Sequence, residues 1–221
     1  MKKTVLITGA SKGIGKETAL LLAKEGYDLI LTYNSDKKGI LEVEKSCKDL
    51  GSKVHVFALD VRDEKSIRKL HAGVISKVKK ISVLVNNAGI VVWKPFGEQD
   101  MDDITSQIET NLSGLLKVTM LFLPNVEDAI INVSSGAGKE VYSSLSVYCA
   151  TKFAVRGFTQ ALAMEHPKLR VYSVNPDMTA TQMTRFQGRP AGDIAKLILN
   201  TIKGMYKVKS GGDIDAWKLL G

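Results

Sequence analysis

Residues 4–15 read Thr4-Val-Leu-Ile-Thr-Gly-Ala-Ser-Lys-Gly-Ile-Gly15, and this stretch decides the fold. An unbroken apolar run leads into a turn with glycines in G-x-x-x-G-x-G spacing, and a helical pattern follows. One glycine lets the chain turn sharply, another lets the backbone approach a ligand closely, and a third lets strand and helix pack tightly. The N-terminus of such a helix offers free N–H groups and partial positive charge to an anion.

A glycine-rich turn by itself has two interpretations, because many such turns only reverse the chain. Here the turn follows a strand pattern and opens a helix, which is the context in which a dinucleotide pyrophosphate binds. We therefore expect a dinucleotide-binding strand–turn–helix unit at the start of the chain.

Short β-type runs alternate with longer helical patterns along the chain. The runs are nearly continuous in Val, Ile and Leu, as is typical of strands buried on both faces of a parallel sheet. We expect strands at residues 4–7, 28–32, 53–58, 81–85, 129–133 and 171–174. Helices are expected at residues 14–25, 38–50, 64–78, 102–123, 146–166 and 191–203, with Pro167 ending the fifth. The pattern predicts an α/β fold: a Rossmann-type doubly wound parallel sheet of six to seven strands in a three-layer α/β/α arrangement.

The composition is that of one globular domain. The 221 residues are 44% hydrophobic and 24% charged, and no linker or repeat divides them, so we expect residues 1–221 to form a single domain. Two cysteines, Cys47 and Cys149, cannot form a disulfide framework, and no Cys/His spacing suggests a metal site. The three histidines are scattered and are expected to be structural or surface residues: His55, His71 and His166.

The net charge of +8 allows two interpretations. A basic chain can bind nucleic acid, but these lysines are dispersed and no nucleic-acid-binding motif is present. We expect no nucleic-acid partner, and a positive field that attracts a phosphate-rich cofactor. No run approaches the ~18 apolar residues of a membrane span, and the apolar run after Met1-Lys2-Lys3 is too short for a signal peptide. The sequence predicts a cytoplasmic protein without a membrane segment.

Tyr148 and Lys152 lie four residues apart on a predicted helix and therefore share a face. A phenol has a pKa of about 10, and a nearby ammonium favours the phenolate, so Lys152 is expected to lower the pKa of Tyr148. A tyrosine whose pKa approaches the working pH is an effective general acid–base. Taken alone, the Tyr-x-x-x-Lys spacing is also common on exposed helix surfaces.

Four stretches together resemble the classical short-chain dehydrogenases/reductases over roughly residues 4–183. They are the glycine turn 8–15, Asn86-Asn87-Ala88-Gly89, Asn111, and the set formed by Ser135, Tyr148 and Lys152. The resemblance implies an NAD(P)-dependent oxidoreductase that transfers hydride between nicotinamide and a small carbonyl or alcohol. A non-catalytic nucleotide-binding regulatory protein on the same fold is the alternative.

The resemblance also implies catalytic roles. Tyr148 is the acid–base, Lys152 lowers its pKa and holds the nicotinamide ribose, and Ser135 polarises the substrate oxygen. Ser134 is the competing serine. Asn111 is expected to hold a water that relays protons from Lys152, or else to cap or kink its helix.

The residues expected to bind the cofactor follow from the same resemblance. They are Gly9, Ser11, Lys12, Gly13, Ile14, Gly15, Tyr33, Asn34, Asp60, Val61, Asn87, Ala88, Gly89, Tyr148, Lys152, Pro176 and Thr181. The second strand ends in Thr32-Tyr33-Asn34 without a carboxylate until Asp36, and Lys12 lies in the glycine turn. Both features favour NADP(H), with NAD(H) also compatible, because a carboxylate there repels a 2′-phosphate.

The substrate side departs from the family pattern. Asn175-Pro176-Asp177 stands where the family has Asn-Pro-Gly, and residues 178–190 are expected to form a substrate lid. Candidate wall residues, which are equally candidates for core packing, are Val92, Trp93, Val141, Tyr142, Met178 and Met183. Residues 209–217, with Gly211-Gly212, resemble a reduced seventh strand. We expect a homodimer or homotetramer, with helices 102–123 and 146–166 at the dimer contact.

Overall fold

The computed structural model describes residues 2–221, which form one α/β unit around a seven-stranded parallel sheet. The strands are β1 (Thr4–Ile7), β2 (Asp28–Tyr33), β3 (Val54–Ala58), β4 (Ile81–Asn86), β5 (Val126–Val133), β6 (Arg170–Asn175), the short pair β7 (Thr179–Ala180) and β8 (Arg189–Pro190), and β9 (Asp213–Asp215). The helices are α1 (Gly13–Lys24), α2 (Lys37–Asp49), α3 (Glu64–Lys77), α4 (Met101–Ile108), α5 (Gly114–Phe122), α6 (Ser146–Glu165), α7 (Ala191–Ile202) and α8 (Ala216–Leu219).

The central sheet has the order β3-β2-β1-β4-β5-β6-β9, and all its neighbouring pairs are parallel. The predicted doubly wound fold is confirmed, with the larger of the two expected strand counts. The strand order reverses between β1 and β4, which pair with Val5 opposite Val83. In such sheets, ligands bind in the crevice beyond the carboxyl ends of the strands at this reversal.

Alternate strand residues face two separate layers of helices, which explains the continuous apolar runs. Leu6 and Ile130 pack with Phe122 of α5 on one face. Ile7 and Ile131 belong to the cluster on the other face, which contains α1 and α7. All five side chains are fully buried. Because both faces are covered, the central strands contain few polar positions.

The predicted helix 102–123 is wrong as a single α-helix. Residues Glu109–Ser113 form a π-helical segment between α4 and α5. Gly114 follows it, and a Cβ there would lie 2.7 Å from the Val61 carbonyl oxygen. The close approach of the Val61 loop, a tertiary contact, therefore requires glycine at this bend.

The remaining boundaries differ from the predictions by at most three residues. The largest shift is at β5, which begins at Val126 because its first residues pair with the start of β4. The expected seventh strand is present as β9, which pairs with β6 through Val174 and Ile214.

Within residues 2–221, no helix combines the length and apolar character that a bilayer crossing requires. The same part of the chain holds no group of three or more His, Cys, Asp or Glu side chains arranged to bind a metal ion. Cys47 and Cys149 are buried free thiols.

Candidate active site

A cavity of about 830 Å³ opens at the carboxyl edge of the sheet. Its walls come from the segments that follow the first six strands, β1 to β6, so residues far apart in sequence meet there. This is the position that the strand-order reversal predicts for a ligand.

The glycine turn forms the floor of one end of this cavity. Gly9 and Gly13 have φ angles of +68° and +55°, a conformation that L side chains rarely adopt. A Cβ on Gly15 would overlap the Gly9 carbonyl and lie 2.6 Å from Asn87 Nδ2. No side chain of residues 2–221 caps the N-terminus of α1, which begins after Lys12. The free N–H groups of that helix fit a pyrophosphate.

Thr8 and Asn87 hold the turn against the end of β4. Thr8 Oγ1 accepts hydrogen bonds from the backbone N–H groups of Asn87 and Ala88 at 2.9 and 3.0 Å. Asn87 Nδ2 in turn donates to the carbonyls of Thr8 and Gly9 at 2.9 and 3.0 Å. Thr8 belongs to the glycine turn but is not among the predicted site residues, although a threonine directly after an apolar strand is a visible signal.

The segments that follow β2 and β3 line the end of the cavity at which the sequence predicts the adenosine. Asn34, Asp60, Val61 and Arg62 all line the cavity. Arg62 Nη2 lies 2.6 Å from Asp60 Oδ2, and its hydrogen bonds hold the pKa of Asp60 below the usual range. Arg62 is not among the predicted site residues. Its position two residues after Asp60 is the sequence feature that could have indicated it.

Tyr33 is a correction to the predicted contacts. Its side chain packs against the hydrophobic core, whereas its neighbours Thr32 and Asn34 line the cavity. Successive strand residues point to opposite faces, so only alternate positions at the end of β2 can face a ligand. Gly15 also does not line the cavity, and its contribution is the close packing of α1 against the turn.

Ser135, Tyr148 and Lys152 line the same cavity on the other side of the glycine turn. Lys152 Nζ lies 5.5 Å from the centroid of the Tyr148 ring and donates to the Val133 carbonyl at 2.9 Å. Helix α6 supplies Tyr148 and Lys152 from one face, one turn apart. The Ser134 hydroxyl is buried and donates to the Lys152 carbonyl at 2.9 Å, so Ser134 braces the helix.

The electrostatics of this pair are opposite to the sequence expectation. Burial raises the pKa of Tyr148 to about 12, although the neighbouring Ser135 hydroxyl acts in the lowering direction. Burial also lowers the pKa of Lys152 to about 8. Desolvation disfavours the charged form of each group and is the largest cause of both shifts.

Asn111 is buried within the π-helical segment, and its side chain does not line the cavity. Its Oδ1 accepts from the Ile90 N–H at 2.8 Å, and its Nδ2 donates to the Ile90 carbonyl at 2.9 Å. A longer bond of 3.3 Å joins Nδ2 to Thr151 Oγ1 of α6. The side chain therefore fixes the loop after Gly89 to α6, and the water relay stays a prediction.

Residues 178–190 begin and end at the short β7–β8 pair, and several of them line the cavity. Thr179 pairs with Arg189, and the Arg189 guanidinium lies 2.8 Å from a carboxylate oxygen of Asp177. This ion pair gives a role to the aspartate that replaces the family glycine. At the tip, Trp93 Nε1 donates to the Met183 carbonyl at 3.3 Å.

Four of the six predicted wall residues line the cavity. Trp93, Tyr142, Met178 and Met183 line the cavity, whereas Val92 and Val141 do not. The structure adds residues that the sequence analysis did not select: Val91, Glu140, Leu145 and Trp217. Of the residues predicted to contact the cofactor, Pro176 and Thr181 line the cavity, as do Gly9, Ser11, Lys12, Gly13, Ile14, Ala88 and Gly89.

Comparison with known proteins identifies the class to which this fold and site belong. A family model described as short chain dehydrogenase matches residues 3–191. The chain belongs to the short-chain dehydrogenase family and is an NAD(P)-dependent oxidoreductase.

Several curated relatives are similar over most of the chain. The serine 3-dehydrogenase of Rhizobium radiobacter is 36% identical over 190 residues, covering 83% of this chain and 75% of that protein. The NADP-dependent 3-hydroxy acid dehydrogenase of Schizosaccharomyces pombe is 39% identical, covering 84% and 76%. A short chain dehydrogenase of Burkholderia cenocepacia, solved in complex with NADP, is 25% identical with a TM-score of 0.89, covering 96% of this chain and 95% of that one.

Proposed function

We propose that this enzyme interconverts a small carbonyl compound and its alcohol with NADP(H), using Tyr148 as the acid–base. The observation that carries the proposal is that Ser135, Tyr148 and Lys152 line one cavity with the glycine turn. The bound nicotinamide supplies the hydride to the carbonyl carbon, or accepts it in the reverse direction. The residues of the chain then manage the proton and the charge on oxygen.

In the reducing direction, the Tyr148 phenol donates its proton to the substrate oxygen as that oxygen gains negative charge. The Ser135 hydroxyl donates a hydrogen bond to the same oxygen. The Lys152 ammonium stabilises the phenolate that remains on Tyr148. The pKa of about 12 keeps Tyr148 protonated in the free enzyme, so the proton that is to be donated is present.

The environment of the adenosine end supports NADP(H) as the preferred cofactor. Lys12 is exposed in the glycine turn, and Asn34 rather than a carboxylate follows β2 at the cavity wall. The nearest acid, Asp36, also lines the cavity, but it accepts a hydrogen bond from the Gly39 N–H at 2.9 Å and caps α2. A 2′-phosphate therefore meets a cation and an amide in this region, with the Asp36 carboxylate engaged by its helix. The S. pombe relative and the B. cenocepacia structure are both described with NADP.

The relatives differ in the substrates that their names give, from serine and a 3-hydroxy acid to the sulfoacetaldehyde of a Chromohalobacter salexigens reductase. We therefore assign the substrate from the chemistry of the cavity as a small carbonyl/alcohol pair. The two buried free thiols are in keeping with a reducing compartment, and we place the enzyme in the cytoplasm.

We propose assembly through the faces of α5 and α6. Met120 of α5 and Phe153 and Met164 of α6 are exposed apolar side chains, with Met164 82% exposed. Gly157 lies between the latter two, and a Cβ there would meet no atom within 4 Å, so a second helix has room to approach. These features support a homodimer, or a homotetramer built from it.

The test is a screen of aldehydes, ketones, quinones and alcohols, in which the absorbance of reduced nicotinamide is followed with NADP(H) and NAD(H) in parallel. Turnover that depends on Tyr148 supports the proposal. Tight NADPH binding with no turnover of any compound supports a regulatory nucleotide-binding protein instead.

A further inference from the structure

Trp217 brings the carboxyl-terminal end of the chain into the catalytic cavity. It lies in α8, directly after the edge strand β9, and within residues 2–221 it alone among those after Thr184 lines the cavity. A Cβ on Gly136 would lie 3.5 Å from Trp217 Cζ3. Gly136 follows Ser135, so the indole lies against the loop that carries the serine.

A buried carboxylate holds this arrangement in place. Asp215, only 3% exposed, lies 2.6 Å from Lys139 Nζ and 3.0 Å from Lys218 Nζ, and accepts from Asn175 Nδ2 at 2.8 Å. Lys139 Nζ also lies 5.9 Å from the centre of the Trp217 ring, close enough for a cation–π contact. Since Lys139 belongs to the Ser135 loop, the ion pair joins that loop to the strand before the indole.

A second ion pair fixes the same strand to helix α6. Arg156 donates to both carboxylate oxygens of Asp213, at 2.9 and 2.6 Å, and to the Gly138 carbonyl at 2.6 Å. The position of the Trp217 indole is therefore set by two charged anchors outside the cavity. Anchors of this kind hold the indole in a fixed position at the cavity wall.

The charges around this part of the cavity disfavour an anion. The basic residues among the lining side chains are Lys12 and Arg62 at the dinucleotide end and Lys152 at the reacting centre. Glu140 lines the cavity on the Ser135 loop and accepts from the Tyr142 hydroxyl at 3.3 Å; no basic side chain of residues 2–221 lies within ion-pair distance of it. Asp177, the other acid here, is paired with Arg189. Glu140 is exposed, so a substrate carboxylate beside it meets a like charge that solvent and salt partly screen.

We propose that Trp217 is a specificity-determining residue, which selects uncharged carbonyl compounds whose flat apolar group stacks on its indole. The Glu140 carboxylate excludes carboxylate-bearing analogues from the same space. This inference rests on the proposed reductase function, and it names the substrate class of that site.

Matched ketones test the proposal in the intact enzyme with NADPH. We expect kcat/KM for acetophenone to exceed that for 4-acetylbenzoate about tenfold or more, which corresponds to a selectivity of about 1.4 kcal/mol. The W217A variant should lose about tenfold for acetophenone, chiefly through KM, and change little for 2-butanone. W217F should retain most of the activity, and E140Q should raise the rate with 4-acetylbenzoate.

A binding measurement keeps the inference separate from the proposed reaction. The chain has two tryptophans, so Trp93→Phe leaves Trp217 as the single indole fluorophore. Acetophenone should quench this fluorescence saturably, and 4-acetylbenzoate should quench it only by collision. Saturable quenching without turnover of any carbonyl overturns the proposed function but supports the binding of the aromatic ketone at Trp217. Purely collisional quenching by acetophenone, or equal losses of W217A for acetophenone and 2-butanone, overturns the role of Trp217.

Discussion

Lys152 Nζ lies 5.5 Å from the centre of the Tyr148 ring and donates a hydrogen bond of 2.9 Å to the Val133 carbonyl. The ammonium is thus tied to the end of β5 and lies beside the phenol ring. Because both groups are buried, the pKa of the tyrosine is raised to about 12 and that of the lysine is lowered to about 8. The free enzyme therefore holds a neutral phenol beside an amine that titrates close to physiological pH.

Removing the phenol hydroxyl should abolish most of the turnover. General acid–base catalysis contributes about 10²–10⁴-fold, so we expect Tyr148→Phe to lower kcat by about that factor while NADPH binding is retained. Steady-state rates and a fluorescence titration of NADPH measure the two effects. Tyr27→Phe, outside the cavity, is the matched control and should leave kcat unchanged. Turnover by Tyr148→Phe at near wild-type rate contradicts the assignment of the acid.

The titration of Lys152 predicts the pH dependence of carbonyl reduction. The Tyr148 pKa of about 12 keeps the acid protonated, whereas the Lys152 pKa of about 8 means that the ammonium is lost as the pH rises through that value. We expect kcat/KM for reduction to be level below this pKa and to fall about tenfold per pH unit above it. Lys152→Arg should move the falling limb upward, because a guanidinium stays charged. A flat wild-type profile in this range would show that the ammonium is not needed.

Cofactor preference should change with two side chains at the adenosine end. Lys12→Ala is expected to weaken NADPH binding about fivefold to tenfold with little effect on NADH, because only NADPH carries the 2′-phosphate. Asn34→Asp should shift the preference further toward NADH by repelling that phosphate. Dissociation constants from fluorescence titration measure both changes. Lys16→Ala, on α1 but outside the cavity, is the control, and an equal loss for NADPH and NADH in Lys12→Ala argues against the phosphate contact.

The Arg156–Asp213 ion pair should contribute measurable stability above acid pH. Its hydrogen bonds help to lower the pKa of Asp213 to about 2, from 3.8 in the unfolded chain, so the contribution is present above the unfolded pKa and is lost as the pH falls through about 2. Asp213→Asn should lower the free energy of unfolding by about 1.5–3 kcal/mol at pH 7.

Urea titrations at several pH values measure that contribution, and the gap between wild type and Asp213→Asn should narrow as the pH falls below 4. Asp193→Asn, which removes a more exposed ion pair of 3.4 Å, should cost little. A gap that stays constant down to acid pH would mean that the pair does not supply the stability.

The apolar face of α6 should hold two chains together. We expect light scattering at micromolar concentration to give a multiple of the chain mass for the wild type. The double variant Phe153→Glu, Met164→Glu should give the mass of a single chain, because charge at a dimer core is not tolerated. Met205→Glu changes an exposed methionine outside α6 and serves as the control. A monomeric wild type would remove the dimer proposal.

Local patterns were sufficient for the architecture and for the residues of the glycine turn. Continuous apolar runs, helical patterns and the glycine spacing are local features, so the order of elements along the chain followed from the sequence. The four-residue spacing places Tyr148 and Lys152 on one helix face, but their catalytic roles were inferred from the resemblance to the short-chain dehydrogenases/reductases. Tyr33 was predicted to contact the cofactor, but its side chain packs against the core. Neighbouring residues of a strand face opposite sides, so an error of one position reverses which side chains face the ligand.

The sequence by itself determined the doubly wound sheet, the dinucleotide turn and the candidate catalytic set. Only the tertiary structure brought Trp217 beside Gly136, engaged Asp177 with Arg189 and set the directions of the Tyr148 and Lys152 pKa shifts. The physical reason is that burial and ion pairing depend on segments far apart in sequence that meet where the strands end. A spacing of four residues determines which side chains are neighbours on a helix. The desolvation of the Tyr148 phenol and the Lys152 amine depends instead on the segments that pack around them.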